Sequence, residues 1–162
     1  MAKKITKRQH PVNRERADRT TAGDAVSELI VHVFRLNGLL LAVGDAMARP
    51  AGQTSARWRV LAAIDKAPLS VAQIARAWWL TRQSVQRIAD VLVRDGLATY
   101  EDNPNHRRAK LVRITPQGLN ALRATRTRQR AWADALGSEL READIRTANT
   151  VLDDVVRLLT RG

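Results

Sequence analysis

Between Thr81 and Gly96 the chain sets Val85, Ile88, Ala89, Leu92 and Val93 at i, i+3, i+4, i+7 and i+8, the stripe of a helix with one buried face. Thr81 stands where an N-cap belongs, and Gly96 where such a helix ends. Directly after it, Leu97 to Asp102 and Leu111 to Ile114 have strand character, and Asn103-Pro104-Asn105 between them is turn chemistry. An amphipathic helix that runs into a β-hairpin leaves few architectures open.

The flanking sequence narrows them further. Ser70-Val71-Ala72-Gln73 has capping-box form and opens a short helix with Ile74, Ala75 and Trp78 inward. Thr54 can cap a preceding helix carrying Trp58, Leu61, Ala62 and Ile64, which ends near Lys66-Ala67-Pro68. Upstream, Val26, Leu29, Ile30, Val33, Phe34, Leu40 and Leu41 fall largely at helical spacing, with Met47 closing one long helix. Gly38 and Gly44 weaken that helix unless a close packing partner needs them, and a helix of a second subunit would serve. Thr115-Pro116 places a cap and an N1 proline before a long helix that stops near Gly137. A last helix spans 143–159, with Ile145, Ala148, Leu152, Val155, Val156 and Leu159 inward. Two helices joined by a tight turn and followed by a hairpin make a winged helix-turn-helix. The expected fold is mainly α with a small β-hairpin wing, flanked by long dimerisation helices.

Charge points the same way. The 162 residues carry a formal net charge of +12, a surface that attracts polyanions. Residues 1–20 hold seven basic groups against two acidic and read as a solvated, disordered arm. Residues 21–53 are apolar-rich with a net charge of −1, so they bury against something other than nucleic acid. Residues 54–118 carry a net +6, and residues 119–162 only +2. The organisation expected is therefore an arm (1–20), a dimerisation helix (21–53), a DNA-binding domain (54–118) and C-terminal dimerisation helices (119–162). The absence of cysteine excludes disulfides, a thiol nucleophile and thiolate zinc sites. The basic start is followed by no apolar signal core, and by this count no stretch approaches the roughly 18 apolar residues of a membrane span. A cytoplasmic protein with no membrane partner is expected.

On the helix that starts at Thr81, removing the buried stripe leaves Arg82, Gln83, Ser84, Gln86 and Arg87 on the polar side of its N-terminal half. These types suit base edges in a major groove: Arg bridges guanine O6 and N7, Gln bridges adenine N6 and N7, and Ser takes either role. At the hairpin tip His106, Arg107 and Arg108 follow the turn, and a narrow minor groove rewards such cations. Lys110 and Arg113 either touch phosphates or are simply solvated strand positions.

These residues resemble the MarR family of multiple antibiotic resistance regulators. The likeness runs through Leu80-Thr81-Arg82-Gln83-Ser84-Val85-Gln86-Arg87, Asp95-Gly96-Leu97, Asn103-Pro104-Asn105-His106-Arg107-Arg108 and Leu111-Val112-Arg113-Ile114-Thr115-Pro116-Gln117-Gly118. It implies a homodimeric transcriptional regulator, most simply a ligand-responsive repressor, whose terminal helices form the interface and whose winged domains meet a pseudo-palindromic operator. It also implies that Arg108 enters the minor groove, and that a small aromatic or phenolic acid acts as effector. Two positions depart from the family pattern. His106 stands where an Asp usually precedes the wing arginine by two residues, and Trp78-Trp79 stand where a small residue or glycine precedes Leu-Thr. Trp78 is expected in the core and Trp79 in the turn.

Other readings of the residues compete. A low-specificity architectural DNA-coating protein would need only the charge, and a protein-interaction module would not need Arg82, Arg87 or Arg108. An enzyme would need a catalytic constellation, and no phosphate loop or nucleophile set is found; the acidic pair Asp153-Asp154 points apart on its helix. His10, His32 and His106 have no metal-ligand spacing, so neither metal nor cofactor is expected. Trp58 and His32 read as packing residues rather than effector ligands.

Overall fold

The structure, a computed structural model, describes residues 20–106 and 108–161. The expected basic arm and Arg107 lie outside the described residues. The helices are α1 (Thr21–Ala48), α2 (Ser55–Ala63), α3 (Val71–Ala77), α4 (Arg82–Arg94), α5 (Pro116–Ser138) and α6 (Glu142–Leu159). The strands are β1 (Leu69–Ser70), β2 (Ala98–Glu101) and β3 (Leu111–Ile114), joined antiparallel in the order β1-β3-β2. Two compact units divide the described residues, one ending at Leu40 and the other beginning at Leu41.

In the second unit the expected caps form. Thr54 Oγ1 accepts from the Arg57 amide (3.2 Å) and Thr81 Oγ1 from the Ser84 amide (3.1 Å). Ser70 and Gln73 close a reciprocal capping box, in which Gln73 Oε1 accepts from the Ser70 amide at 2.8 Å. Four orphan donors at helix starts are thereby satisfied, each cap worth about 1 kcal/mol. The α4 stripe closes over the core as read: Val85, Ala89 and Leu92 are buried against Leu61, Ile64, Ile74, Val112 and Leu122. The hairpin pairs Thr99 with Arg113 and Tyr100 with Val112, which turns Val112 into the core. β1 adds a third strand, Leu69 opposite Val112, that the sequence reading lacked.

Thr115 joins wing to α5: its hydroxyl donates to Gly96 O (2.7 Å) and accepts from the Gly118 amide (3.1 Å). The clamp leaves no room at Gly118, where a Cβ would overlap the Leu97 carbonyl oxygen and sit 3.0 Å from Ile114 Cγ1. Gly118→Ala is expected to destabilise the second unit by roughly 3 kcal/mol, since backbone must move; chemical denaturation measures it.

Several expectations are corrected. α2 stops at Ala63 rather than near Lys66. Gly44 has its close partner in its own chain, because a Cβ there would meet Ser55 Cβ at 3.0 Å, while a Cβ on Gly38 meets nothing within 4 Å. Asp45 reinforces that approach by accepting from the Ser55 amide (2.7 Å), a bond that holds its carboxyl below the usual range. Trp78 is not core: it is 39% exposed, with the Arg59 guanidinium 5.9 Å from its ring centre. Trp58 is half-buried against the core cluster, as expected.

The expected inward stripes of α1 and α6 are only partly covered: Leu29, Leu41, Ile145, Leu152 and Val155 are half-buried, and most of the rest lie open. In the first unit Phe34 is 73% exposed, beside uncovered Ile30, Val31 and Leu36. In the second, α6 has no buried residue, and Val156, Leu158 and Leu159 lie open. α1 with the 3-10 turn Arg49–Ala51 that continues it also corrects the count of membrane-length segments. Its mean hydropathy over 18 residues reaches 1.6, long and apolar enough by composition to cross a bilayer. Counting consecutive apolar residues missed this because isolated charges such as Glu28 and Arg35 interrupt the run without lowering its average much. A helix that a second chain covers has the same composition.

Candidate nucleic-acid interface

α3 and α4 meet through Trp78-Trp79-Leu80. The turn is held by the Leu80 amide donating to Ala75 O at 2.9 Å. Trp79 takes a left-handed backbone, φ 52°, and is 76% exposed, as its expected place in the turn implies. That conformation costs a non-glycine residue on the order of 1 kcal/mol.

α4 and the wing border an open cleft of about 760 Å³ lined by Arg82, Gln83, Gln86, Tyr100, Arg108 and Lys110, together with Ser70, Val71 and Ala72. Of the sequence-predicted set, Arg82, Gln83 and Gln86 from the helix and Arg108 and Lys110 from the wing are thus brought together. Ser84 is half-buried and lies outside the cleft lining, and Arg87 is exposed farther along α4. Among the described residues, no ion pair neutralises Arg82, Arg87, Arg108 or Lys110. Such cations keep their full charge for an external anion.

Arg113 is different. Its Nε and Nη2 donate to Glu101 Oε2 and Oε1 at 2.5 and 3.0 Å across the hairpin, and that carboxylate raises its pKa. The phosphate role read for it from sequence is therefore corrected, because its charge is already matched. Lys110→Ala is expected to lower the slope of log affinity against log salt by about one, whereas Arg113→Ala should leave the slope nearly unchanged.

His106, in place of an Asp, stabilises the wing turn by another route: its Nδ1 accepts from the Ala109 amide at 3.2 Å. Asn103 Oδ1 likewise accepts from the Asn105 amide at 3.0 Å.

Three residues here escaped the sequence reading. Arg76 is exposed and lines an adjoining cleft with Trp79, Thr81 and Arg82. Asp90 and Tyr100 hold the side chain of Gln86: Gln86 Nε2 donates to Asp90 Oδ1 (2.8 Å) and Tyr100 Oη (2.7 Å), and Tyr100 Oη donates to Asp90 Oδ1 (2.6 Å). The Tyr100 hydroxyl, then Gln86, pulls the Asp90 carboxyl below its ordinary range. Burial, followed by Asp90, pushes the Tyr100 phenol up to about 12. The spacing of Gln86 and Asp90, i to i+4 on one helix, was the available signal.

Residues 51–109 match the sequence pattern of the MarR family. An uncharacterized protein of Mycobacterium tuberculosis (strain ATCC 25618 / H37Rv) is 42% identical over 101 residues, which are 62% of this chain and 71% of that protein. A MarR family transcriptional regulator from Streptomyces coelicolor has the same fold, with a TM-score of 0.72 at 24% identity over 85% of this chain and 96% of that one. So does a Staphylococcus aureus MarR solved with salicylate and kanamycin, with a TM-score of 0.74 at 14% identity over 85% and 93%. The chain belongs to the MarR family. It has the winged helix fold of a family of DNA-binding transcription regulators.

Proposed function

We propose that this chain is a ligand-responsive repressor that binds a pseudo-palindromic operator as a homodimer in the cytoplasm. α4 enters the major groove with Arg82, Gln83, Ser84, Gln86 and Arg87, and the wing carries Arg107, Arg108 and Lys110 to the backbone and minor groove. The observation that carries this reading is the convergence of Arg82, Gln83, Gln86, Arg108 and Lys110 on one cleft without an ion pair among the described residues. An architectural role would need the charge alone, with no demand for amide side chains among the cations.

Residues 54–118 bind DNA in this account, residues 21–53 and 119–162 pair two chains, and residues 1–20 add phosphate contacts. The uncovered apolar residues of α1 and of α6 support the pairing, since so much exposed hydrocarbon is unusual on a monomer. The effector is a small aromatic or phenolic acid that shifts the spacing of the two α4 helices, which must stand roughly 34 Å apart to enter successive grooves. Two observations support it: the S. aureus relative was solved with salicylate, and Gln53 Oε1 and Trp58 Nε1 are buried without a hydrogen-bond partner. Selection from a randomised duplex pool tests the reading. Two inverted half-sites about one helical turn apart, bound by two chains, are expected; a motif without symmetry would refute the dimeric mode.

A further inference from the structure

We propose that Asp90 and Tyr100 are positioning residues that decide which bases Gln86 accepts, by holding its side-chain amide with the nitrogen toward them and the oxygen toward the groove. The inference rests on the DNA-reading role proposed above for α4.

The chemistry of the three groups leaves one arrangement. An ionised carboxylate only accepts hydrogen bonds, and Asp90 is held in that form. Its Oδ1 already takes the Tyr100 hydroxyl proton at 2.6 Å. Tyr100 Oη therefore has no proton to give Gln86 and serves it as an acceptor. The amide group facing both must be the NH2, with Asp90 Oδ1 at 2.8 Å and Tyr100 Oη at 2.7 Å as acceptors for its two protons. Turning the amide over would set Gln86 Oε1 against a carboxylate and against a hydroxyl whose proton is committed. Tyr100 is itself held, packed on the core from β2 and paired with Val112. The anchor thus joins the reading helix to the wing strand at the wall of the cleft that Gln86 and Tyr100 both line.

The consequence for recognition is specific. A glutamine that bridges adenine must donate to N7 while accepting from N6, and here the donor end is occupied. Gln86 offers only Oε1, which pairs with an exocyclic amine: adenine N6 or cytosine N4. Guanine and thymine present O6 and O4 instead, which repel it. The bidentate adenine contact read from sequence gives way to a preference for amino over keto bases.

The test is selection from a randomised duplex pool with the full-length chain and its Gln86→Ala, Asp90→Asn and Tyr100→Phe variants. Gln86→Ala maps the position, losing a preference of about tenfold at one site in each half-operator. The wild type is expected to choose adenine or cytosine there. Asp90→Asn, at an exposed position, should relax that choice and leave other positions and the melting temperature unchanged, because asparagine can donate and let the amide turn. Tyr100→Phe keeps the packed ring and should relax the same position less. A wild-type preference for guanine or thymine there would overturn the proposal, as would an Asp90→Asn motif unchanged at that position or weakened evenly at all positions. If Gln86→Ala leaves an enriched motif intact, this inference fails while DNA reading by α4 stands. If no motif is enriched at all, both fail.

Discussion

Alanine at both Arg82 and Arg108 is expected to lower affinity for the cognate operator by roughly 10²- to 10⁴-fold, with a much smaller loss on scrambled DNA. The two arginines line one cleft, one at the start of α4 and one in the wing. Neither is neutralised by a carboxylate among the described residues, so each brings a whole charge and its donor fork to the duplex. A groove-reading arginine is worth about 1 to 3 kcal/mol of discrimination, and well-separated contacts are close to additive. Both side chains are exposed, so folding should not change. Paired titrations on the two duplexes, with a melting curve for each variant, check the claim. An equal loss on both would mean that these arginines supply charge without information.

Glutamate at Phe34 together with Leu39 is expected to yield a species of one chain mass, 18.1 kDa, where the wild type should show twice that. These side chains are 73% and 67% exposed, so nothing in their own unit depends on their burial. Desolvating two carboxylates against an apolar partner face would cost several kcal/mol, enough to separate most dimers. Operator affinity should then fall by roughly 10² to 10⁴, because one half-site loses the effective concentration that the other supplied. Light scattering across a concentration series gives the mass. A variant that stays dimeric would place the interface on other residues.

Local chemistry makes much of this protein legible in its sequence. The Ser70–Gln73 box, the Thr81 and Thr115 caps and the five-residue stripe of α4 are short-range patterns, and each stands where it was read. What escaped depends on residues far apart in sequence. β1 is two residues long and is a strand only because β3 lies beside it. Arg113 looked like a phosphate ligand until the hairpin register brought Glu101 within reach, 12 residues away. Trp78 sits at an inward helical position but follows the last residue of α3, where the chain is already leaving the helix. The periodic apolar residues of α1 and α6 predict inward faces, and in a single chain most of them meet solvent. Periodicity reports that a face needs cover, not which molecule provides it.

The candidate site divides along the same line. Side-chain type and helical position pointed to Arg82, Gln83 and Gln86, and turn chemistry to Arg108, all of which line the cleft. The partners of Gln86 were hidden because Tyr100 reads as a strand residue and Asp90 as a solvated charge. Only the fold brings an α4 carboxylate and a β2 phenol to the same amide.

The most direct measurement is a titration of the protein, at several salt concentrations, onto DNA from upstream of its own gene and onto a scrambled duplex of equal length and composition. Salt must vary because a protein neutralising about 6 to 10 phosphates loses ~10³ to 10⁵ in affinity between 50 and 200 mM. A preference of about 10³ or more for the native duplex at physiological salt is the expected result. Two duplexes that bind alike and weaken together as salt rises would contradict specific reading by α4 and leave a charge-driven coating protein in its place.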